Sequence, residues 1–167
     1  MADEWASFRE EHSQLRAGLE SLRTVGDDVG RLDVAVLRHE VEDVYRFLSH
    51  RLLAHIAVEE EVLYPAIARL NGSGTAAGIM RRDHAEVSKA VRELYALRQE
   101  LDRETLGETE AVALRRVLYG LYQLLTVHMA NEEETCLPAL DRALSEGQVR
   151  ALAEGIELFD QAEQAAE

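Results

Sequence analysis

Two short segments of the chain each place a glutamate four residues after a histidine. The segments HIAVEEEVLYPAI and HMANEEETCLPAL, which begin at His55 and His128, are identical at seven of thirteen positions and contain both prolines of the protein. On a helix of 3.6 residues per turn, positions i and i+4 differ by about 40° in direction and lie about 6 Å apart along the axis. The histidine and the glutamate of each motif therefore lie on the same face of the helix and can bind the same centre. The two motif pairs are His55 with Glu59 and His128 with Glu132.

Two further histidines extend this pattern into an internal repeat. His12 lies in EHSQL and His84 in DHAEV, each directly after an acidic residue; they are 72 residues apart, and the longer motifs are offset by 73. The chain therefore reads as two copies of a helix-pair unit, about residues 1–71 and 76–145, related by an approximate twofold axis.

A histidine on an apolar helix stripe is more often a hydrogen-bonded core residue than a metal ligand. Here, however, four histidines fall on the inward seams of four different helices, and two carboxylates accompany them. Burying those carboxylates without a cation would be very costly. We therefore predict a metal site, and its six candidate ligands are His12, His55, Glu59, His84, His128 and Glu132.

Imidazole and carboxylate ligands together suit iron, manganese or zinc. Two half-sites indicate two ions, with Glu59 and Glu132 placed to bridge them, two histidines on each ion, a bridging oxo or hydroxo group and one open position. The sequence leaves open which two helices share an ion. The neighbouring acids point in other directions on an ideal helix, and flanking or solvated roles are expected for Glu60, Glu61, Glu133 and Glu134.

The elements that would carry these residues are helices. Apolar residues recur at helical spacing through four segments, and Gly plus Pro account for only 12 of 167 residues, which disfavours a many-stranded sheet. Breaks are expected at Val25 to Gly30 and at Asn71 to Thr75. We predict an all-α antiparallel four-helix bundle over residues 1–145, followed at 146–167 by a short extra helix, opened by a Ser145–Gln148 capping box, and a tail.

The charge and composition of the chain limit the classes of partner that it can bind. With 18 basic and 32 acidic residues the formal net charge is −14, so nucleic acid and anionic membrane surfaces are poor partners. No apolar run approaches a membrane span. The lone Cys136 cannot form an intramolecular disulfide, and the N-terminus is acidic where a signal peptide would be basic and then apolar, so a cytoplasmic location is expected.

Other metal and phosphate motifs are missing. Ile56 follows His55, so there is no HExxH; the Glu-x-x-His order of ferritin-like bundles, glycine-rich phosphate loops and GxSxG elbows do not occur either.

The pattern that is present, with His12, HIAVEEEVLYP, His84 and HMANEEETCLP, resembles the hemerythrin-like family with the HHE cation-binding domain over about residues 1–145. That resemblance implies an up-down-up-down bundle around a non-haem, oxo- or hydroxo-bridged di-iron centre, with the four histidines as terminal ligands and the two glutamates as bridges; manganese or zinc is the less favoured content.

One departure from the family pattern bears on function. Oxygen-carrying hemerythrins have a fifth histidine where this chain has Ser88, which puts reversible oxygen carriage in doubt. The resemblance then favours binding of or reaction with a small ligand (O2, NO or peroxide) at an open iron position; the alternative is an iron- or oxygen-responsive sensor without turnover. Three expectations concern the remaining residues. One tyrosine could supply an extra phenolate ligand, and the candidates are Tyr45, Tyr64, Tyr119 and Tyr122. His39 and His50 are expected at the surface or in packing, and Cys136 is expected to be a small buried residue.

Overall fold

The computed structural model describes residues 3–71, 75–101 and 105–166. Five helices, and no strand, are formed within these ranges. Helix α1 spans Ala6–Asp28, α2 covers residues 34–71, α3 spans Thr75–Glu100, α4 covers residues 108–143 and α5 spans Glu146–Ala166. The all-helical prediction is therefore confirmed.

Two of the helices contain π-helical turns within otherwise α-helical runs. Helix α2 is α-helical at Val34–Arg46, Leu53–Val58 and Tyr64–Asn71, and π-helical at Phe47–Leu52 and Glu59–Leu63. Helix α4 is α-helical at Glu108–Asn131 and Leu137–Ala143, with a π-helical stretch at Glu132–Cys136 between them.

The prolines explain two of these π-turns. Pro65 and Pro138 each follow a π-turn, at Glu59–Leu63 and Glu132–Cys136, after a single intervening residue. Proline has no N–H to donate, and its ring collides with the carbonyl four residues earlier, so the helix must widen or kink there. Both π-turns begin at a candidate bridging glutamate, and single π-turns inside α-helices are frequent at functional sites.

The ends of the helices differ in part from the sequence-based expectation. The break expected from Val25 was placed too early, because α1 continues to Asp28 and keeps Val25 on its buried side. Gly30 then adopts φ +76°, a left-handed conformation that suits glycine. Asp33 caps α2 by accepting a hydrogen bond from the Ala35 N–H at 2.8 Å.

The other predicted connections are only partly visible. Residues 72–74 of the expected Asn71 to Thr75 linker lie outside the described residues, as do residues 102–104 before the start of α4. At the start of α5, the Ser145 N–H donates to the Gln148 side chain at 3.0 Å, which is the reciprocal arm of the predicted capping box.

The helices pack as a bundle. Helix α1 contacts α2 and α4, α3 contacts the same two helices, and α5 lies against α1, α2 and α4. Apolar side chains form two clusters, one containing Leu15 and Leu19 and the other Trp5, Phe8 and Tyr64. Along α1, His12 lies between these two clusters, and the candidate ligands form a polar layer there.

None of the described helices combines the length and apolar character that crossing a membrane would require.

Candidate metal centre

The six candidate ligands lie together in the interior of the bundle. Each is at most 3% exposed. They form two overlapping sets of four, and within each set one ligand atom per residue lies within 4.8 Å of the others. One set is His12, His55, Glu59 and Glu132, and the other is Glu59, His84, His128 and Glu132.

Glu59 belongs to both sets because its two oxygens face different histidines. Its Oε1 lies 2.8 Å from Nε2 of His55 and 3.6 Å from Nε2 of His12. Its Oε2 lies 3.2 Å from Nε2 of His84. A carboxylate with one oxygen toward each pair of histidines has the arrangement needed to bridge two cations.

Glu132 has the matching arrangement from the other repeat. Its Oε1 lies 3.4 Å from Nε2 of His128, and its Oε2 lies 3.6 Å from Nε2 of His12. The two glutamates begin equivalent π-turns of α2 and α4. The approximate twofold relation expected from the sequence is thus visible in how the carboxylates are directed.

The structure also determines how the histidines pair, which the sequence left open. Nε2 of His12 lies 3.1 Å from Nε2 of His55, and Nε2 of His84 lies 2.9 Å from Nε2 of His128. Each pair therefore comes from one repeat, contributed by α1 with α2 and by α3 with α4.

All four imidazoles have a carboxylate at the opposite nitrogen. Nδ1 of His12 lies 2.8 Å from Glu133 and that of His84 lies 3.0 Å from Glu60. Nδ1 of His55 lies 3.1 Å from Glu11, and that of His128 lies 3.2 Å from Asp83. A carboxylate at Nδ1 favours the tautomer that donates from Nδ1 and leaves the Nε2 lone pair free for a metal.

These outer carboxylates refine the sequence-based assignment. Glu60 and Glu133 are half-buried flanking residues, and each reaches a histidine of the other repeat. Glu61 and Glu134 are exposed, as expected for solvated side chains. The roles of Glu11 and Asp83 were missed, although the acid before each of His12 and His84 was visible in the sequence.

The donor set fits a metal on three grounds. Within the described part of the chain, both oxygens of Glu59 and Oε2 of Glu132 are buried without a hydrogen bond. Nε2 atoms that both carry lone pairs repel each other at 2.9–3.1 Å unless a metal ion or a proton lies between them. With metal–ligand bonds of about 2.1 Å, neighbouring ligand atoms lie about 3.0 Å apart at right angles and about 3.4 Å apart at the tetrahedral angle, which matches the observed spacings.

Without a metal, protons must balance the charge of this layer. Burial lowers the pKa of His55, but the carboxylates of Glu59 and Glu11 outweigh burial and raise it well above its ordinary value. Burial likewise opposes protonation of His128, yet its contacts with Glu132 bring its pKa to about 9. Burial and the nearby charge of Glu59 raise the pKa of Glu132. Cations and protons therefore compete for the same atoms.

One tyrosine reaches the same layer. The phenol oxygen of Tyr64 lies 3.0 Å from Nε2 of His84 and 3.1 Å from Nε2 of His128, and it donates to Oε1 of Glu132 at 2.7 Å. Tyr64 is fully buried. The equivalent residue of the second repeat is Leu137, so the first pair of histidines has no such partner from that position.

The remaining residues of interest lie elsewhere. His39 and His50 are exposed, in agreement with the sequence-based expectation. The phenols of Tyr119 and Tyr122 donate to Asp27 and Glu20, away from the ligand layer. Cys136 is buried, and burial raises the pKa of its thiol to about 11.

The fold and this centre define a helical domain whose histidine and glutamate clusters are able to hold metal cations. The family model for the hemerythrin HHE cation-binding domain matches residues 4–140. The chain therefore belongs to the hemerythrin HHE family, as its motifs indicated. Comparisons with curated proteins and with solved structures found no match.

Proposed function

We propose that this chain is a non-haem di-iron protein that binds or reacts with a small ligand such as O2, NO or peroxide. In this proposal α1 to α4 form an up-down-up-down bundle within a domain of residues 1–145, and residues 146–167 add the last helix and a tail. His12 and His55 would hold one iron and His84 and His128 the other, with Glu59 and Glu132 as bridges.

The observation that carries the proposal is the direction of the two glutamates. Glu59 and Glu132 each present one oxygen to each pair of histidines, and the oxygens of Glu59 lack a donor. One ion would leave part of this donor set unused, whereas two ions use all six residues. Mixed imidazole and carboxylate ligands suit iron, with manganese and zinc as the competing ions.

Two bound irons would supply two reducing equivalents and a coordination position for a small molecule. The protein's own residues orient and shield that position. Hydrogen bonds with outer carboxylates hold the imidazoles of His12, His84 and His128 at Nδ1. The ring of Phe8 lies 4.3 Å from that of His12 and 5.8 Å from that of His55. This apolar cover limits entry of water and favours small uncharged ligands.

A second function is an iron- or oxygen-responsive sensor without turnover. The observation that favours it is the position of α5, which packs against the π-turn Glu59–Leu63 as well as against α1. A change in ligand spacing at Glu59 would therefore act directly on the surface under α5.

The buried lone thiol and the absence of a possible disulfide suit a reducing compartment, and we propose a cytoplasmic location for either function.

Rapid mixing separates the two functions. The iron-loaded protein is reduced, freed of oxygen and mixed with O2, NO or peroxide while the visible spectrum and ligand consumption are followed. Repeated consumption of ligand in the presence of reductant supports a redox enzyme. A stoichiometric, stable adduct supports binding or sensing without turnover. Failure to react with any of the three contradicts the proposed ligand chemistry and oxygen sensing, and leaves only an iron-responsive sensor.

A further inference from the structure

The two halves of the metal centre differ at one position. The repeat gives each half two histidines and a share of both glutamates. Among the described residues, only the half formed by His84 and His128 has a phenol beside it. Tyr64 comes from α2, in the first repeat, and points across to histidines of the second.

We propose that Tyr64 is itself a metal ligand, bound as phenolate to the ion held by His84 and His128. This inference rests on the di-iron function proposed above. It assigns a seventh protein ligand and makes the two ions chemically unequal.

The geometry supports ligation more strongly than a simple hydrogen bond. The phenol oxygen is 2.7–3.1 Å from three ligand atoms of one set, on His84, His128 and Glu132. Ligands on one ion lie at about such separations when their bonds are about 2.1 Å long. A phenol donates one proton and can also accept from an N–H. When both Nε2 atoms are unprotonated, as metal binding requires, hydrogen bonding satisfies only one of the three contacts, whereas one cation among all four atoms satisfies them together.

The surroundings hold the phenol in this place. The Tyr64 ring is fully buried and stacks on the ring of His84 with centroids 5.1 Å apart. The guanidinium of Arg81 lies 5.8 Å from the centre of the Tyr64 ring. The ring therefore has little freedom to turn the oxygen away. Burial and the nearby charges of Glu59 and Glu132 raise the pKa of Tyr64, so a cation at this place would have to displace the phenol proton, which leaves for solvent.

The consequence is a division of roles between the two ions. The ion at His84 and His128 would gain a further protein donor, the phenolate of Tyr64, in addition to its two histidines and the two shared glutamates. The ion at His12 and His55 has Leu137 at the equivalent position and gains nothing from it. A small ligand would then bind at the ion held by His12 and His55, whose rings lie 4.3 Å and 5.8 Å from that of Phe8.

Resonance Raman spectroscopy of the iron-loaded protein tests this assignment. Ferrous iron is added to metal-free protein under anaerobic conditions, the sample is oxidised in air, and iron per chain is measured on the same sample. The wild-type protein is expected to show a phenolate-to-iron(III) charge-transfer band with tyrosinate vibrations enhanced by excitation into that band. Tyr64→Phe is expected to lose both while keeping most of its iron.

Two controls keep the result interpretable. Tyr122→Phe removes a phenol that donates to Glu20 away from the centre, and its spectrum should match the wild type. A variant with Phe at Tyr45, Tyr95, Tyr119 and Tyr122 should retain the tyrosinate signal, which tests the assignment even if Tyr64→Phe does not fold. Two irons per chain with no tyrosinate signal in the wild type would overturn this inference and leave the di-iron function standing, whereas a chain that takes up no iron would contradict the function itself.

Discussion

Glu133 lies 2.8 Å from Nδ1 of His12, although 121 residues separate the two in sequence. The same carboxylate accepts from the guanidinium of Arg16 at 2.9 Å. Its counterpart Glu60 makes the equivalent contact with His84 at 3.0 Å. Each repeat therefore orients a histidine of the other, and the two halves of the centre depend on one another.

This relationship predicts that Glu133→Ala weakens metal binding without removing a ligand. The His12 ring loses the acceptor that fixes its tautomer, and loss of such a partner typically lowers metal affinity about 10–100-fold. Competition with a chromophoric chelator measures the change. Glu134→Ala is the matched control, since this neighbouring side chain is exposed; equal losses from the two variants would show that the contact with His12 does not matter.

The bridging glutamates predict a larger effect on stoichiometry. Glu59→Ala or Glu132→Ala removes an oxygen from each ion at once, so the metal content is expected to fall well below two per chain. Glu61→Ala alters an exposed acid of the same motif and should leave the content unchanged, as should His39→Ala at the surface. Metal analysis after identical loading and desalting gives the comparison. The assignment of bridges is wrong if Glu61→Ala loses as much metal as Glu59→Ala.

Metal binding should strengthen as the pH rises. In the metal-free protein the pKa of His128 is about 9 and that of His55 is well above its ordinary value. A metal on Nε2 must expel the proton, so binding releases protons below about pH 9, and the apparent affinity gains about tenfold per pH unit for each proton released. Calorimetric titrations in buffers of different ionisation enthalpy count these protons. A constant affinity between pH 7 and pH 9 would contradict the prediction.

A pair of glycines tests the packing that holds the helices in register. A Cβ on Gly18 of α1 would overlap the ring of Phe47 on α2, whereas a Cβ on Gly120 of α4 meets nothing within 4 Å. We expect Gly120→Ala to raise the free energy of unfolding by about 0.5–1 kcal/mol and Gly18→Ala to lower it by about 1–3 kcal/mol through overpacking. Chemical denaturation measures both. Equal stabilisation by the two substitutions would mean that α1 and α2 are not in such close contact.

The sequence predicted the centre better than it predicted the shape of the helices. His-x-x-x-Glu motifs on apolar seams were enough to identify six residues that prove to be buried together, because the 3.6-residue period fixes which side chains share a face. The same period does not predict the π-turns at Glu59 and Glu132, which arise where proline interrupts the hydrogen-bond ladder.

Other features of the centre depend on contacts between helices, so the spacing of residues within one helix does not predict them. Which histidines pair and which acid reaches which imidazole follow from how α1 to α4 pack. Nothing in the sequence distinguished Tyr64 from the other candidate tyrosines, because its contact with the centre depends on the packing of α2 against α3 and α4. The early end expected for α1 was wrong because Val25 is buried, and packing of its side chain favours continuing the helix as far as Asp28.

Metal analysis of the protein as purified, taken together with its visible spectrum, tests the central claim most directly. Two overlapping ligand sets that share Glu59 and Glu132 predict two irons per chain and the absorption of a bridged diferric pair. A chain that carries no stoichiometric transition metal, and takes none up when iron is supplied anaerobically, would contradict the account.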